Sequence, residues 1–393
     1  MANGSTSTGE RAASVSLHQP LPPSRFALAA WGLVAVGVVL RLVRYAANRN
    51  LWVDEILLVR SALDHPIGDL LRPLDYDQGA PVAFLALVHA AADLLGRHEY
   101  VLRLVPLLAG CASLFLFRQV ALRVLVPRAV LLALALFAVV EPLVYYAAEL
   151  KQYSSDVTVA LAVLLAALRA ADGGLRVAPL ITLALVGAIT VWLSHPAVFV
   201  LAGVGVALLA DALRAGDRRG AVLLAGVGAA WAVSFAVDYE LLLRPLVGSD
   251  YLQHYWQDAF MPARPLAAAR WQVGALLGSL RYPVGIPLPA VAALAATLGA
   301  VDLARRQPRV VAFLLLPVAL GMVSSAFHQF PFGGRVILFI TPAFVLLIAA
   351  GIESLLAVPL ARVRLTGALL ALLVIGPPVV AGARAALDPP GWE

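Results

Sequence analysis

The chain has 393 residues, 62% of them hydrophobic and 13% charged, with a formal net charge of +6 and a mean hydropathy of +0.89. A soluble domain carries roughly 25% charged residues, so half of a water-facing surface is missing and a soluble globular protein is excluded. The positive charge does not point to nucleic acid. The arginines sit in short loops between apolar runs, with no basic helix and no aromatic-interleaved patch.

Residues 1–25, MANGSTSTGERAASVSLHQPLPPSR, are polar and are predicted as a disordered cytoplasmic tail. They lack the charged-then-apolar order of a cleavable signal, so the first apolar run reads as a retained span. Twelve apolar runs follow, near 26–46, 81–96, 101–119, 129–148, 156–170, 177–193, 196–213, 221–246, 284–302, 309–327, 335–355 and 364–382. Runs near 20 residues suit bilayer-spanning helices, which satisfy every backbone group internally. The run at 81–96 is short and carries His89 and Asp93. Loop charge decides its path. The loops at 118–128, 214–219, 305–309 and 362–364 are arginine-rich, and such short loops favour the cytoplasm. With a cytoplasmic N-terminus all four face the cytoplasm only if 81–96 does not cross. The expectation is therefore an all-α polytopic membrane protein with about 11 transmembrane helices, in which 81–96 is interfacial.

The expected organisation is a tail (1–25), an N-terminal transmembrane module (26–246) with a first outer loop at 47–100, an extracytoplasmic loop (247–283), C-terminal transmembrane helices (284–382) and a tail (383–393). The lone Cys111 allows no internal disulfide and no thiolate metal cluster. No P-loop, GxSxG or dinucleotide fingerprint occurs.

Four polar constellations fall on the outer face. In NLWVDEILLVR, Asp54 and Glu55 are adjacent carboxylates that can supply a general base and a second acid, or simply sit hydrated at the interface. In RPLDYDQGAPVAFL, Asp75, Asp77 and Gln78 precede a Gly-Ala-Pro break. That pattern is turn chemistry leading into a helix, or a set of groups that read substrate hydroxyls. In ELKQYSSD, Lys151 is the only lysine of the chain, flanked by Glu149, Tyr153 and Asp156. A lone lysine can snorkel, yet this chain uses arginine everywhere else, and a compact ammonium suits a phosphate oxygen. In FHQFPFGGRVILFITP, His328 ends one run and Arg335 opens the next after a Gly-Gly turn, as a phosphate ligand or an interfacial anchor. The loop GSDYLQHYWQDAFMPARP, with His254, is either an aromatic belt or a carbohydrate surface.

WVDE just outside the first span, DYDQGAPVAFLALVHAAADLLGRHEYVLRLVPLLAG, YYAAELKQYSSD and HQFPFGGRVILFITP together resemble blocks of the GT-C glycosyltransferases. The likeness is to the family-39-like branch, which includes protein O-mannosyltransferases and lipid A aminoarabinose transferases. The resemblance implies a GT-C fold with interfacial helices in the first extracytoplasmic loop. It also implies a polyprenyl-phosphate-linked sugar donor and inversion at the anomeric carbon. Carried onto this sequence, the base is Asp54 with Glu55 beside it, and the donor phosphate meets Lys151, Arg335 and Tyr153. Asp75, Asp77, Gln78, Glu149, Asp156, His254 and His328 are the expected substrate-binding residues. No cofactor is required. A divalent cation would be held, if at all, by Asp54 and Glu55.

The implied protein is a bacterial plasma-membrane glycosyltransferase acting on an extracytoplasmic glycan, lipid or protein. Its partners are the lipid bilayer, the lipid-linked donor and the acceptor, with no nucleic acid. The rival reading is a transporter or flippase, which should place ionisable residues mid-span in broken, repeated helices. A third is a non-catalytic lipid-binding scaffold. The sequence lacks the large extracytoplasmic domain of the best-known members of the branch.

Overall fold

The computed structural model describes residues 23–387. Among these the chain is helical, with no strand. The tail expected at 1–25 lies outside the described residues except for its last three, which begin the helix Pro23–Ala46. At the other end the helix Ala361–Leu387 continues past residue 383.

Among the described residues eight helices are long and apolar enough to cross a membrane, and nine if Pro127–Val139 and Glu141–Ala148, bent by 57°, form one broken span. The expectation of eleven also counted two weaker segments. Val177–Leu193 is a shorter apolar helix. Pro289–Arg306 carries Asp302, Arg305 and Arg306 among its 18 residues. The second packs closely against Thr341–Leu356, while Leu294 and Val301 of the same helix stay exposed. A Cβ on Gly299 would lie 1.8 Å from the Leu347 carbonyl oxygen, and one on Gly351 would lie 1.9 Å from that of Ala295. Only glycine at both positions lets these backbones touch, the small-residue packing expected of membrane helices.

The helices position one polar end. Ala197–Arg214 starts beside Pro196 and Tyr153–Asp172 starts at Tyr153, while Gly334–Leu356 starts beside Arg335; all three starting points line one cavity. The arginine-rich turns at 214–219 and 362–364 follow the far ends of the first and third of these helices, and Arg309 of the turn at 305–309 pairs with Asp211 near the end of the first. Gln307 there donates its side-chain N–H to the Val124 carbonyl, joining two of those turns.

The helix Val82–Leu95 begins and ends at the cavity end. The Gly79 carbonyl before it accepts from Gln152 Nε2 at 3.1 Å, and Arg103 after it binds Glu55. It turns back without traversing the bundle. Phe84, Leu85 and Val88 on its inner face pack with Leu58, Ala62 and Leu63 into a small core separate from that of the bundle. Residues 47–100 thus form a folded cap over the polar end.

Candidate functional site

The helix Val53–Leu63 sets the site by its 3.6-residue period. Glu55, Leu58 and Ala62 share its buried face, whereas Asp54 and Leu57 face the cavity. Adjacent carboxylates therefore point apart and do different work.

Glu55 is fully buried. Its carboxylate accepts from Arg103 twice, Nε to Oε1 at 2.9 Å and Nη2 to Oε2 at 2.7 Å, and from the Leu150 backbone N–H at 2.7 Å. It also accepts from the Trp52 backbone N–H at 3.3 Å, closing the first turn of its own helix. Glu55 does not line the cavity. The expectation of a second catalytic acid at this position is corrected: Glu55 is a positioning residue that ties the first loop to the segment carrying Lys151. A metal held jointly by Asp54 and Glu55 is corrected for the same reason, because their oxygens do not converge. Among the described residues no group of three or more His, Cys, Asp or Glu could hold a metal ion.

Asp54 is held between two cations. Lys151 Nζ lies 3.1 Å from Oδ1, and Arg335 Nη2 donates to Oδ2 at 2.7 Å. Lys151 also donates to Gln78 Oε1 at 2.8 Å. The Arg335 guanidinium lies over the rings of Trp52 and Tyr153, with centroids 5.4 and 5.8 Å away, a geometry worth about 0.5–2 kcal/mol per ring. Burial pushes the Lys151 ammonium below its ordinary 10.5, against the pull of Asp54.

These groups line a cavity of about 480 Å³, within the range of small-molecule sites. Asp54, Asp77, Gln78, Lys151, Tyr153, Asp156, His328 and Arg335 all reach it. Three expected residues do not. Asp75 is exposed and pairs with His65 at 3.0 Å. Glu149 is buried behind Lys151 and pairs with Arg49 at 3.2 Å, its carboxyl raised above the ordinary range by burial and by the charge of Glu55. His254 is exposed at the end of the helix Asp250–Tyr255 and is absent from the lining. All three were chosen by proximity in sequence, and helical or extended phase turns each away.

Backbone strain gathers at this wall. Tyr76, Asp77 and His328 have φ of 61°, 52° and 55°, and all three line the cavity. Non-glycine residues in this region are uncommon and cluster at functional sites. Asp77 accepts from Ser249 Oγ at 2.8 Å, which fastens the 247–283 segment to the first loop.

Sequence reasoning missed Gln152 and His195, which also line the cavity. The signal was present in LSHPA, a polar Ser-His step between two apolar runs where a tight turn alone would suffice.

No protein-family model and no curated protein matches the sequence. Solved structures do. The chain is similar to the Archaeoglobus fulgidus oligosaccharyltransferase tethered to an acceptor peptide containing the NVT sequon, at TM-score 0.57 and 14% identity, covering 93% of this chain and 56% of that one. A second structure of that enzyme, AglB, holds an inhibitory peptide and a dolichol-phosphate, at TM-score 0.57 and 14% identity, with 91% and 56% covered. ArnT from Cupriavidus metallidurans bound to undecaprenyl phosphate aligns at TM-score 0.55 and 15% identity, over 94% of this chain and 65% of that one. The chain thus spans little more than half the length of the archaeal enzyme, and it has the polytopic helical fold of the GT-C glycosyltransferases.

Proposed function

We propose that the chain is an integral-membrane glycosyltransferase that takes a sugar from a polyprenyl-phosphate donor and passes it, with inversion, to an extracytoplasmic glycan, lipid or protein. The observation that carries this reading is Asp54 clamped by Lys151 and Arg335 on a cavity wall. Two cations converging on one oxyanion are what a phosphate leaving group needs, since fixed charge stabilises the negative charge it develops. Arg335 offers a planar fork and Lys151 a point charge, a complementary pair for a phosphate.

In this mechanism the donor phosphate takes over Lys151 and Arg335 and so releases Asp54. The freed carboxylate accepts the proton of the acceptor hydroxyl as its oxygen attacks the anomeric carbon. The bond from that carbon to the phosphate oxygen breaks, and its electron pair leaves with the lipid phosphate. Asp54 is thereby available as a base only when donor is bound. The chemistry lies on the extracytoplasmic side of a bacterial plasma membrane. The arginine-rich turns at the opposite end of the helices support that orientation. Likeness to ArnT bound to undecaprenyl phosphate and to AglB bound to dolichol-phosphate supports the donor class.

A transporter reading draws no support from the cavity, which gathers its ionisable groups at one end of the bundle. The test is transfer of radiolabelled sugar from a polyprenyl-phosphate donor by purified protein in lipid. The Asp54→Asn variant should lose transfer while still binding the lipid phosphate, and transport of donor without transfer would reverse the choice.

A further inference from the structure

We infer that Gln152, Asp156 and His195 form the pocket that reads the donor's sugar ring, and that the ring is rich in hydroxyls and bears no carboxylate. The inference rests on the reading of the cavity as a lipid-phosphate sugar site.

All three residues line the cavity wall beside Lys151. Each offers a polar atom that is sealed from solvent and has no hydrogen-bond partner: Gln152 Oε1, Asp156 Oδ1 and His195 Nε2. An unpaired buried polar atom is destabilising, and native structures keep few of them. Three on one cavity wall are explained by a ligand that supplies the missing partners.

Their chemistry specifies that ligand. Gln152 Nε2 donates to the Gly79 carbonyl, which fixes the amide and leaves its oxygen unpaired. Asp156 follows Gln152 by four residues and its backbone N–H donates to the Gln152 carbonyl at 2.9 Å. The two side chains therefore share one helical face, about 6 Å apart along the axis. Burial pushes His195 down to about 4, so its imidazole is neutral at pH 7. The wall offers an amide oxygen, a carboxyl oxygen and a neutral ring nitrogen, and no cation. Hydroxyl groups satisfy such a set by donating into it. The carboxylate of a uronic acid has no proton to donate into such a set. Lys151 lines the same cavity as these three residues, so a phosphate on Lys151 brings its attached ring within reach of this wall.

The test uses the full chain in lipid nanodiscs, with undecaprenyl phosphate and its glucosyl, mannosyl, arabinosyl and glucuronyl esters as probes, and dissociation constants measured for each. At least one neutral ester should bind about tenfold or more tighter than bare undecaprenyl phosphate, as one or two recovered hydrogen bonds imply. The glucuronyl ester should show no such gain. Asp156→Ala and Gln152→Ala should each remove most of the gain while leaving affinity for bare undecaprenyl phosphate unchanged. Three results overturn the inference: no neutral ester gains over the bare lipid, the glucuronyl ester binds best, or the variants weaken bare lipid and esters alike. Failure of bare undecaprenyl phosphate to bind wild-type protein overturns the reading of the whole cavity instead.

Discussion

Replacing Asp54 by Asn keeps the shape of the side chain and removes its charge, and two quantities should then move in opposite directions. In the free protein Asp54 takes one contact from Lys151 at 3.1 Å and one from Arg335 at 2.7 Å. A hydrogen bond to a charged group contributes about 1.5–3 kcal/mol. Asp54 and Arg335 side chains are 16% and 21% exposed, which places these contacts at the low end. A donor phosphate must displace the carboxylate from both cations. Without that competition, undecaprenyl phosphate should bind Asp54→Asn about tenfold more tightly, equivalent to about 1.4 kcal/mol. Turnover should fall by about 10²–10⁴-fold, the range for loss of a general base. Calorimetric titration with undecaprenyl phosphate and a transfer assay on the same preparation read both. Thermal unfolding adds a control: the variant should unfold earlier when unliganded and gain more from the lipid than wild type does. Weaker lipid binding together with retained turnover would refute the exchange mechanism.

Lys151→Ala and Arg335→Ala should each weaken donor binding by about 1.5–3 kcal/mol, read as a rise in the dissociation constant for undecaprenyl phosphate. Because burial lowers the Lys151 ammonium from 10.5, kcat/KM should decline on the alkaline side at a pH below 10.5, as the lysine loses the proton that attracts phosphate. Lys151→Arg should shift that decline upward, since guanidinium stays protonated. Glu55→Ala leaves Arg103 buried without its carboxylate and should cost about 3–5 kcal/mol in stability; the double variant Glu55→Leu, Arg103→Met should recover part of the loss in a thermal-unfolding series. Cysteines at Arg72 and Ala215, both exposed, in a Cys111→Ser background should label from opposite sides of the membrane. Labelling from one side would overturn the orientation.

Much of this architecture was legible because membranes simplify the code. Apolar runs located the helices, and loop arginines alone placed residues 81–96 off the bilayer path. The chain does turn back there, between Gly79 and Arg103. The count of spans was less legible, because Val177–Leu193 is short and Pro289–Arg306 carries Asp302, Arg305 and Arg306. Within the site, residue type identified Asp54, Lys151 and Arg335, which lie 95 or more residues apart in sequence and meet in space. Phase was the missing variable. Asp54 and Glu55 read as one pair in sequence, but one residue of helix rotates a side chain by about 100°, and the two became a cavity residue and a buried anchor. Gln152 and His195 escaped notice because single polar residues in apolar company carry no spacing signature. Only their unpaired atoms mark them.

The most direct test of the central claim is a structure of the protein with undecaprenyl phosphate bound. The phosphate should lie between Lys151 Nζ and the Arg335 guanidinium, with Asp54 released from both and turned toward open cavity. A phosphate bound elsewhere, with the Asp54 clamp intact, would contradict the account.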